Sequence, residues 1–137
     1  MIVKNSGIVL NPVGVVRSTA KDIDTVSVGG QVAEVEVFPQ YSPALTRIEA
    51  NSHLWLLLWF HESDRNCLLT VPRRINPNLS EYGVFGLRSP NRPNPIALSL
   101  VELDSVDGNI LKVRGLDAID GTPVLDIKSY FEKDIIF

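Results

Sequence analysis

Between residues 89 and 95 the chain reads Ser-Pro-Asn-Arg-Pro-Asn-Pro, and this stretch excludes most backbone conformations there. Proline fixes φ, removes a backbone donor and pushes the preceding residue toward extended geometry. Ser89, Arg92 and Asn94 each precede a proline. The segment can be neither a helix nor a central strand, so it reads as a stiff, extended loop. A loop built this way holds its side chains in place at little entropic cost. Those side chains include Arg88, Asn91, Arg92 and Asn94. Guanidinium forks and amides suit phosphates, carboxylates and base edges. One reading is a recognition loop for an anionic or nucleobase-bearing ligand. The other is a rigid connector whose arginines sit in solvent or cap carbonyls.

The rest of the chain reads as short strands punctuated by Pro, Gly and Asn. Ile8 to Val16 alternates and is broken by Pro12. Lys21 to Gly30 is a polar loop. Gln31 to Phe38 is a half-buried strand, with Val32, Val35 and Val37 expected to oppose Glu34 and Glu36. Ser42 to Ala50 predicts a short helix, with Ser42 as N-cap and Pro43 at the first helical position. His53 to Trp59 is continuously apolar, and its length favours a buried central strand. Asp64 to Ser80 is irregular. Gly83 to Leu87 is expected to be a strand leading into the proline loop. Ile96 to Val106 resumes strand character, and Asp107-Gly108-Asn109 is a hairpin signal before Ile110 to Gly115. Thr122 to Tyr130 is the last strand. This spacing predicts an all-β fold with one or two short helices, a small closed β-barrel, the alternative being a β-sandwich.

Composition narrows the function classes. A length of 137 residues, 45% hydrophobic, fits one domain spanning residues 1–137 with its own core. A net charge of −3 argues against holding nucleic acid by bulk charge, so any such contact must use a local patch. A single cysteine, Cys67, precludes an intrachain disulfide and makes a reducing compartment the default. Cys67 reads as a small hydrophobe rather than a nucleophile. The longest apolar run, Leu54 to Phe60, falls far short of the roughly 20 residues that span a bilayer. The expected protein is soluble and cytoplasmic.

Two further constellations stand out. His61-Glu62 follows the apolar strand and belongs either at the rim of a ligand pocket or on a plain solvated strand end. Asp117, Asp120 and Asp126 surround an Asp120-Gly121-Thr122-Pro123 turn, which is either an ordinary hairpin turn or part of a site for an amine, hydroxyls or a divalent metal. No GxGxxG, GxxxxGK[ST], HExxH or CxxC motif is present, and His53, His61 and Cys67 do not make a closed zinc site, so no metal is expected. His53, beside Leu54 and Trp55, reads as a satisfied core histidine.

Four segments together carry a resemblance: NPVGVVRS at 11–18, SHLWLLLWFHE at 52–62, GVFGLRSPNRPNPIALS at 83–99 and LDAIDGTPVLDIK at 116–128. In this order they resemble the TrmO (TsaA-like, YaeB-like) family in its short form, over about Val9 to Tyr130. The resemblance implies a small β-barrel, S-adenosyl-L-methionine as cofactor, and a homodimer. It implies methyl transfer to the exocyclic nitrogen of threonylcarbamoyl-adenosine next to the tRNA anticodon. By motif, His61 and Glu62 would contact the cofactor, Arg88 and the backbone around Leu98 would line the same pocket, and Asp120, Gly121, Thr122 and Pro123 would close it. Arg88, Asn91, Arg92 and Asn94 would face the cofactor or the tRNA. Glu62 and Asp120 are the candidates for a general base. The chain departs from the family where an Ala-Pro-Arg-Gln segment usually follows the first Arg-Ser. Here Gly29, Gly30 and Gln31 stand in its place. The rival readings are a non-catalytic module that binds S-adenosylmethionine or a related nucleoside, a methyltransferase with another acceptor, and an interaction domain that binds no nucleoside.

Overall fold

The computed structural model describes residues 7–19, 31–73 and 75–135. Six antiparallel strands close into a barrel, which decides against a sandwich. They are β1 (Gly14–Arg17), β2 (Gln31–Val37), β3 (His53–Trp59), β6 (Ile96–Asp107), β7 (Ile110–Leu116) and β8 (Pro123–Ser129), in the order β1-β2-β7-β6-β3-β8, with β8 returning to β1. A two-stranded ribbon, β4 (Leu69–Thr70) with β5 (Tyr82–Gly83), stands apart from the barrel.

The alternation of the sequence explains the closure. On β3, Leu54, Leu56 and Leu58 are fully buried in the barrel, while His53, Trp55, Leu57 and Trp59 face outward and are half-buried. Val35, Val37, Leu111, Val113, Leu116, Val101 and Val124 complete the interior. Register slips occur between Gln31 and Ala33, between Leu57 and Leu58, and between Leu103 and Ser105. Such bulges sharpen strand curvature, as a barrel of six strands requires. The hairpin joining β6 to β7 pairs Asp107 with Ile110 and carries Gly108 at φ 56°. Positive φ is the geometry an Asp-Gly or Gly-Asn turn provides most readily.

Several expectations change. The first strand starts at Gly14 rather than Ile8: the bonds to β2 and β8 reach back only to Val13, Pro12 has no N–H to extend them, and Ile8, Val9 and Leu10 are exposed. Period-two alternation puts Ala33, not Val32, on the interior face with Val35 and Val37, and Val32 is exposed. The single helix predicted over 42–50 is instead two short 3-10 turns, Pro39–Leu45 and Ile48–Ala50. Pro39 takes the first position, and Pro43 falls inside the turn, where its missing N–H prevents an α-helix. Arg47, at φ 66°, separates the two turns. Ser42 is not a cap; its hydroxyl meets the Asn109 side chain across the barrel end. The strand expected over 83–87 ends at Gly83 and becomes a 3-10 turn, Val84–Gly86, because its partner runs into the Asp64–Asn66 turn. The polar loop of residues 21–30 lies outside the described residues. No helix among the described residues is long and apolar enough to cross a membrane.

Candidate functional site

One end of the barrel gathers the end of β1, the start of β2, the end of β3, the start of β6 and the β7–β8 connection. Three loops meet there. The first leaves β3 through Phe60, His61 and Glu62. The second is the proline loop, which enters β6 with the Pro95 carbonyl accepting the Phe60 N–H at 2.8 Å. The third runs from Asp117 to Thr122.

These loops surround a cavity of about 260 Å³. His61, Glu62 and Ser63 line one side, Pro90 and Asn91 the second, and Ala118, Ile119 and Thr122 the third, with Phe60 at the junction. His61 and Glu62 are exposed and make no hydrogen bond or ion pair among the described residues, so both are available to a ligand. Asn91 is tied in place, its amide oxygen accepting the Asp64 N–H at 2.9 Å. Thr122 is fully buried and donates its hydroxyl to the Ile119 carbonyl at 2.7 Å, pinning the turn that forms the third wall.

Beyond Phe60 and Pro90 lies a second cleft of about 370 Å³, bounded by Arg73, Arg88 and Asp117. A third groove of about 490 Å³ shares Phe60, Arg88 and Asp117 and reaches Phe85, Arg92, Asn94 and Leu98. Arg73, Arg88 and Asp117 are exposed, and their side chains make no hydrogen bond or ion pair among the described residues.

The structure therefore divides the sequence-predicted residues. His61, Glu62, Asn91 and Thr122 share this half-open cavity, whereas Arg88 and Leu98 lie across Phe60 in the adjoining clefts. Asp120, Gly121, Pro123 and Gln31 line neither space. Asp120 accepts the Ser18 N–H at 2.9 Å, fastening the turn to the end of β1. Gly121 supplies the φ of 82° that the turn needs. The Gln31 amide reaches the Ser18 hydroxyl and donates to the Ala118 carbonyl at 3.0 Å. Arg92 turns inward and donates to the Leu87 and Ser89 carbonyls at 2.9 and 3.2 Å. The Asn94 oxygen accepts from Arg65 at 3.1 Å. Gly29 and Gly30 fall outside the described residues.

The three aspartates do not converge: Asp126 pairs with Lys128 at 3.1 Å on β8, apart from Asp117 and Asp120. No group of three potential metal ligands occurs among the described residues. His53 is half-buried, its ring against Tyr130 and its Nδ1 on the Ser52 hydroxyl. Cys67 is half-buried and donates its thiol to the Leu69 carbonyl. Sequence reasoning missed Phe60, Ala118 and Ile119 as walls; Phe60 ends the apolar run and reads as core.

Residues 19–134 match the family model of the tRNA-methyltransferase O N-terminal domain. A probable S-adenosyl-L-methionine-binding protein of Methanothermobacter thermautotrophicus is 46% identical over 127 residues, covering 90% of both chains. A protein described in the same words from Archaeoglobus fulgidus is 46% identical over 125 residues, 88% of this chain and 33% of its own length. The tRNA (adenine(37)-N6)-methyltransferase of Escherichia coli is 42% identical over 132 residues, 86% of this chain and 55% of its own length. Among solved structures, TrmO from Pseudomonas aeruginosa superposes with a TM-score of 0.75 at 30% identity, over 98% of this chain and 60% of that one. The chain thus spans nearly all of the Methanothermobacter relative but only a third to three-fifths of the other three.

Proposed function

This chain belongs to the tRNA-methyltransferase O N-terminal domain family, and from that premise we propose that it is an S-adenosyl-L-methionine-dependent tRNA methyltransferase. Its acceptor is the exocyclic nitrogen of threonylcarbamoyl-adenosine beside the anticodon. The observation that carries the reading is the convergence of three motif segments, around His61-Glu62, Pro90-Asn91 and Ala118 to Thr122, on one cavity.

The cavity's chemistry fits the cofactor. Phe60, Pro90, Ala118 and Ile119 offer apolar walls for a purine ring and the methylenes of the methionyl chain, while Glu62, His61 and Asn91 offer acceptors and donors for ribose hydroxyls and amino groups. Bound there, S-adenosylmethionine supplies an electrophilic methyl on a sulfonium. The chain's own residues then have separate tasks. The cavity and the arginine-lined cleft adjoin at Phe60 and Pro90, so an acceptor held by Arg73 and Arg88 would reach the cofactor's methyl past that shared edge. Holding two reactants in line is worth roughly 7–11 kcal/mol, enough to carry most of such a transfer. Glu62 is the better placed of the two candidate bases, because Asp120 already accepts from Ser18. Arg73 and Arg88 supply the local positive patch that the net charge of −3 otherwise withholds from RNA. Unstacked anticodon-loop bases are the usual targets of sequence-specific RNA recognition. Pairing with a second copy of the chain is part of the proposal, supported by the exposed apolar group Phe85, Ile96 and Leu98 beside Arg88.

A second reading, a module that binds S-adenosylmethionine without turnover, is favoured by the Methanothermobacter relative, which matches over nine-tenths of both chains. Calorimetry with S-adenosylmethionine and a methyl-transfer assay on tRNA carrying the threonylcarbamoyl group separate the two. Binding with transfer supports the enzyme; binding without transfer supports the module; no binding removes both.

A further inference from the structure

We infer that Arg65 is a positioning residue that sets the proline loop against the His61-Glu62 turn and so gives the cofactor cavity its shape. The inference rests on the proposed function for what the cavity holds, but the clasp itself is read from the structure alone.

The proline loop is stiff within itself, yet stiffness does not say where it points. Its pose depends on what fastens it to the barrel. Three attachments come from the segment following β3. The Phe60 N–H donates to the Pro95 carbonyl at 2.8 Å, and the Asp64 N–H to the Asn91 side chain at 2.9 Å. The third is Arg65, which uses one edge of its guanidinium for two bonds. Its Nε donates to the Pro93 carbonyl at 2.8 Å and its Nη2 to the Asn94 Oδ1 at 3.1 Å. The guanidinium is itself held from below, with Cζ 5.1 Å from the centroid of the Trp59 ring on the outer face of β3. A planar fork that bonds along two directions while stacking on an indole fixes both distance and angle, which a lysine ammonium cannot do.

The arrangement links the two walls of the cavity. His61 and Glu62 sit four and three residues before Arg65, on the turn that its side chain bridges to the loop. Pro90 and Asn91 sit just before Pro93 and Asn94, which it grips. Arg65 lines none of the three spaces that surround Phe60. It therefore acts through the groups it holds and touches no ligand. Losing it leaves the loop held by the Phe60–Pro95 and Asp64–Asn91 bonds alone, which lets Pro90 and Asn91 shift against Glu62. A displacement near 1 Å at a reacting centre costs on the order of 100-fold in rate.

The test uses the full chain and its Arg65→Ala, Arg65→Lys and Asn94→Ala variants. S-adenosylmethionine affinity is read by calorimetry and backbone opening by hydrogen exchange. Arg65→Ala is expected to weaken cofactor binding about tenfold and to raise exchange at the Phe60 and Asp64 amides, which bond to the proline loop, with β3, β6 and β8 unchanged. Arg65→Lys keeps the charge but loses the fork, and is expected to recover less than half of the lost affinity on a logarithmic scale. Asn94→Ala removes one bond and is expected to have the smaller effect. Affinity within twofold of wild type in Arg65→Ala overturns the inference. So does exchange that rises equally in the barrel strands, which marks a merely structural role, and so does full rescue by lysine. If wild type itself binds no S-adenosylmethionine, the functional reading fails separately. The exchange measurement then decides the clasp alone, and unchanged exchange at the Phe60 and Asp64 amides overturns it.

Discussion

Gly14 is the position where the barrel leaves least room. It is buried in β1, opposite Val37 on β2 and Val124 on β8. A Cβ built there lies 2.5 Å from the Glu36 carbonyl oxygen and 3.2 Å from the Val37 Cα, both backbone atoms that cannot rotate away. Ordinary contact begins near 3.4 Å, so the strands must part by about 0.9 Å in a close-packed interior. On its other side β1 is held by the Val13 N–H to the Val124 carbonyl at 2.8 Å and the Val16 N–H to the Thr122 carbonyl at 2.9 Å. Neither bond survives a shift of that size taken along its length. Overpacking of this kind costs about 1–3 kcal/mol, offset by about 0.4–1 kcal/mol from the stiffer unfolded chain. The middle of each range leaves a net loss of about 1.3 kcal/mol, and at roughly 4 °C per kcal/mol for a domain of this size Gly14→Ala is expected to lower Tm by about 5 °C. Calorimetric melting measures it, with Gly86→Ala as the control, because a Cβ at Gly86 meets no atom within 4 Å. A Gly14→Ala protein that melts within 1 °C of wild type refutes the argument.

Arg88→Ala is expected to abolish methyl transfer while leaving the melt unchanged, since the exposed guanidinium makes no hydrogen bond or ion pair among the described residues; full activity removes Arg88 from the site. Thr122→Val keeps the shape of a fully buried side chain but deletes its bond to the Ile119 carbonyl. The expected loss is about 1 kcal/mol in stability with weaker cofactor binding, and an unchanged melt counts against it. The Phe131 N–H and the Trp55 indole N–H, both donating to Asp134, hold its carboxyl below the usual aspartate range. Because the folded state depresses this group, its contribution is complete above the ordinary aspartate value and is lost as pH falls through the lower folded one. Tryptophan fluorescence should stay flat down to about pH 4.5 and change only below about pH 3.9, and Asp134→Asn should remove that step; a step above pH 4.5 contradicts the assignment.

What the residues announced, and what they concealed, follows from the range of the interactions involved. β2 was legible from its local alternation, β3 from the length of its apolar run, and β6 and β7 from the Asp107-Gly108-Asn109 hairpin signal between them. The 3-10 turns were not, since a proline near a segment's start is equally compatible with an α-helix; only the second proline, Pro43, and the left-handed Arg47 settle the matter. The β4–β5 ribbon has two residues per strand, too few for any period to show. In the site, His61-Glu62 stood out as polar residues ending an apolar run. Phe60 did not, because the residue that walls the cavity is chemically indistinguishable from the core residues before it. Arg65 gave no signal at all. Its partners are a backbone carbonyl and an amide 28 and 29 residues away, and side-chain-to-backbone bonds of that range leave no pattern in a sequence.

The proline loop also accounts for which arginines are spent on structure. Each proline removes a backbone donor but keeps its carbonyl, so residues 87–95 carry more acceptors than they can satisfy among themselves. Arginine, with five donors on one plane, is the efficient remedy. Arg92 takes the carbonyls of Leu87 and Ser89 from inside the loop, and Arg65 takes that of Pro93 from outside it. The two readings of the loop, rigid connector and recognition platform, are therefore not alternatives. Arg92 caps carbonyls, as the connector reading expects, and that capping holds the loop in the form from which Arg88 projects unbonded into the cleft beside Phe60. The number of arginines in such a loop does not measure its appetite for anions. The acceptors that its prolines strand come first, and only the guanidinium left over is free for a ligand.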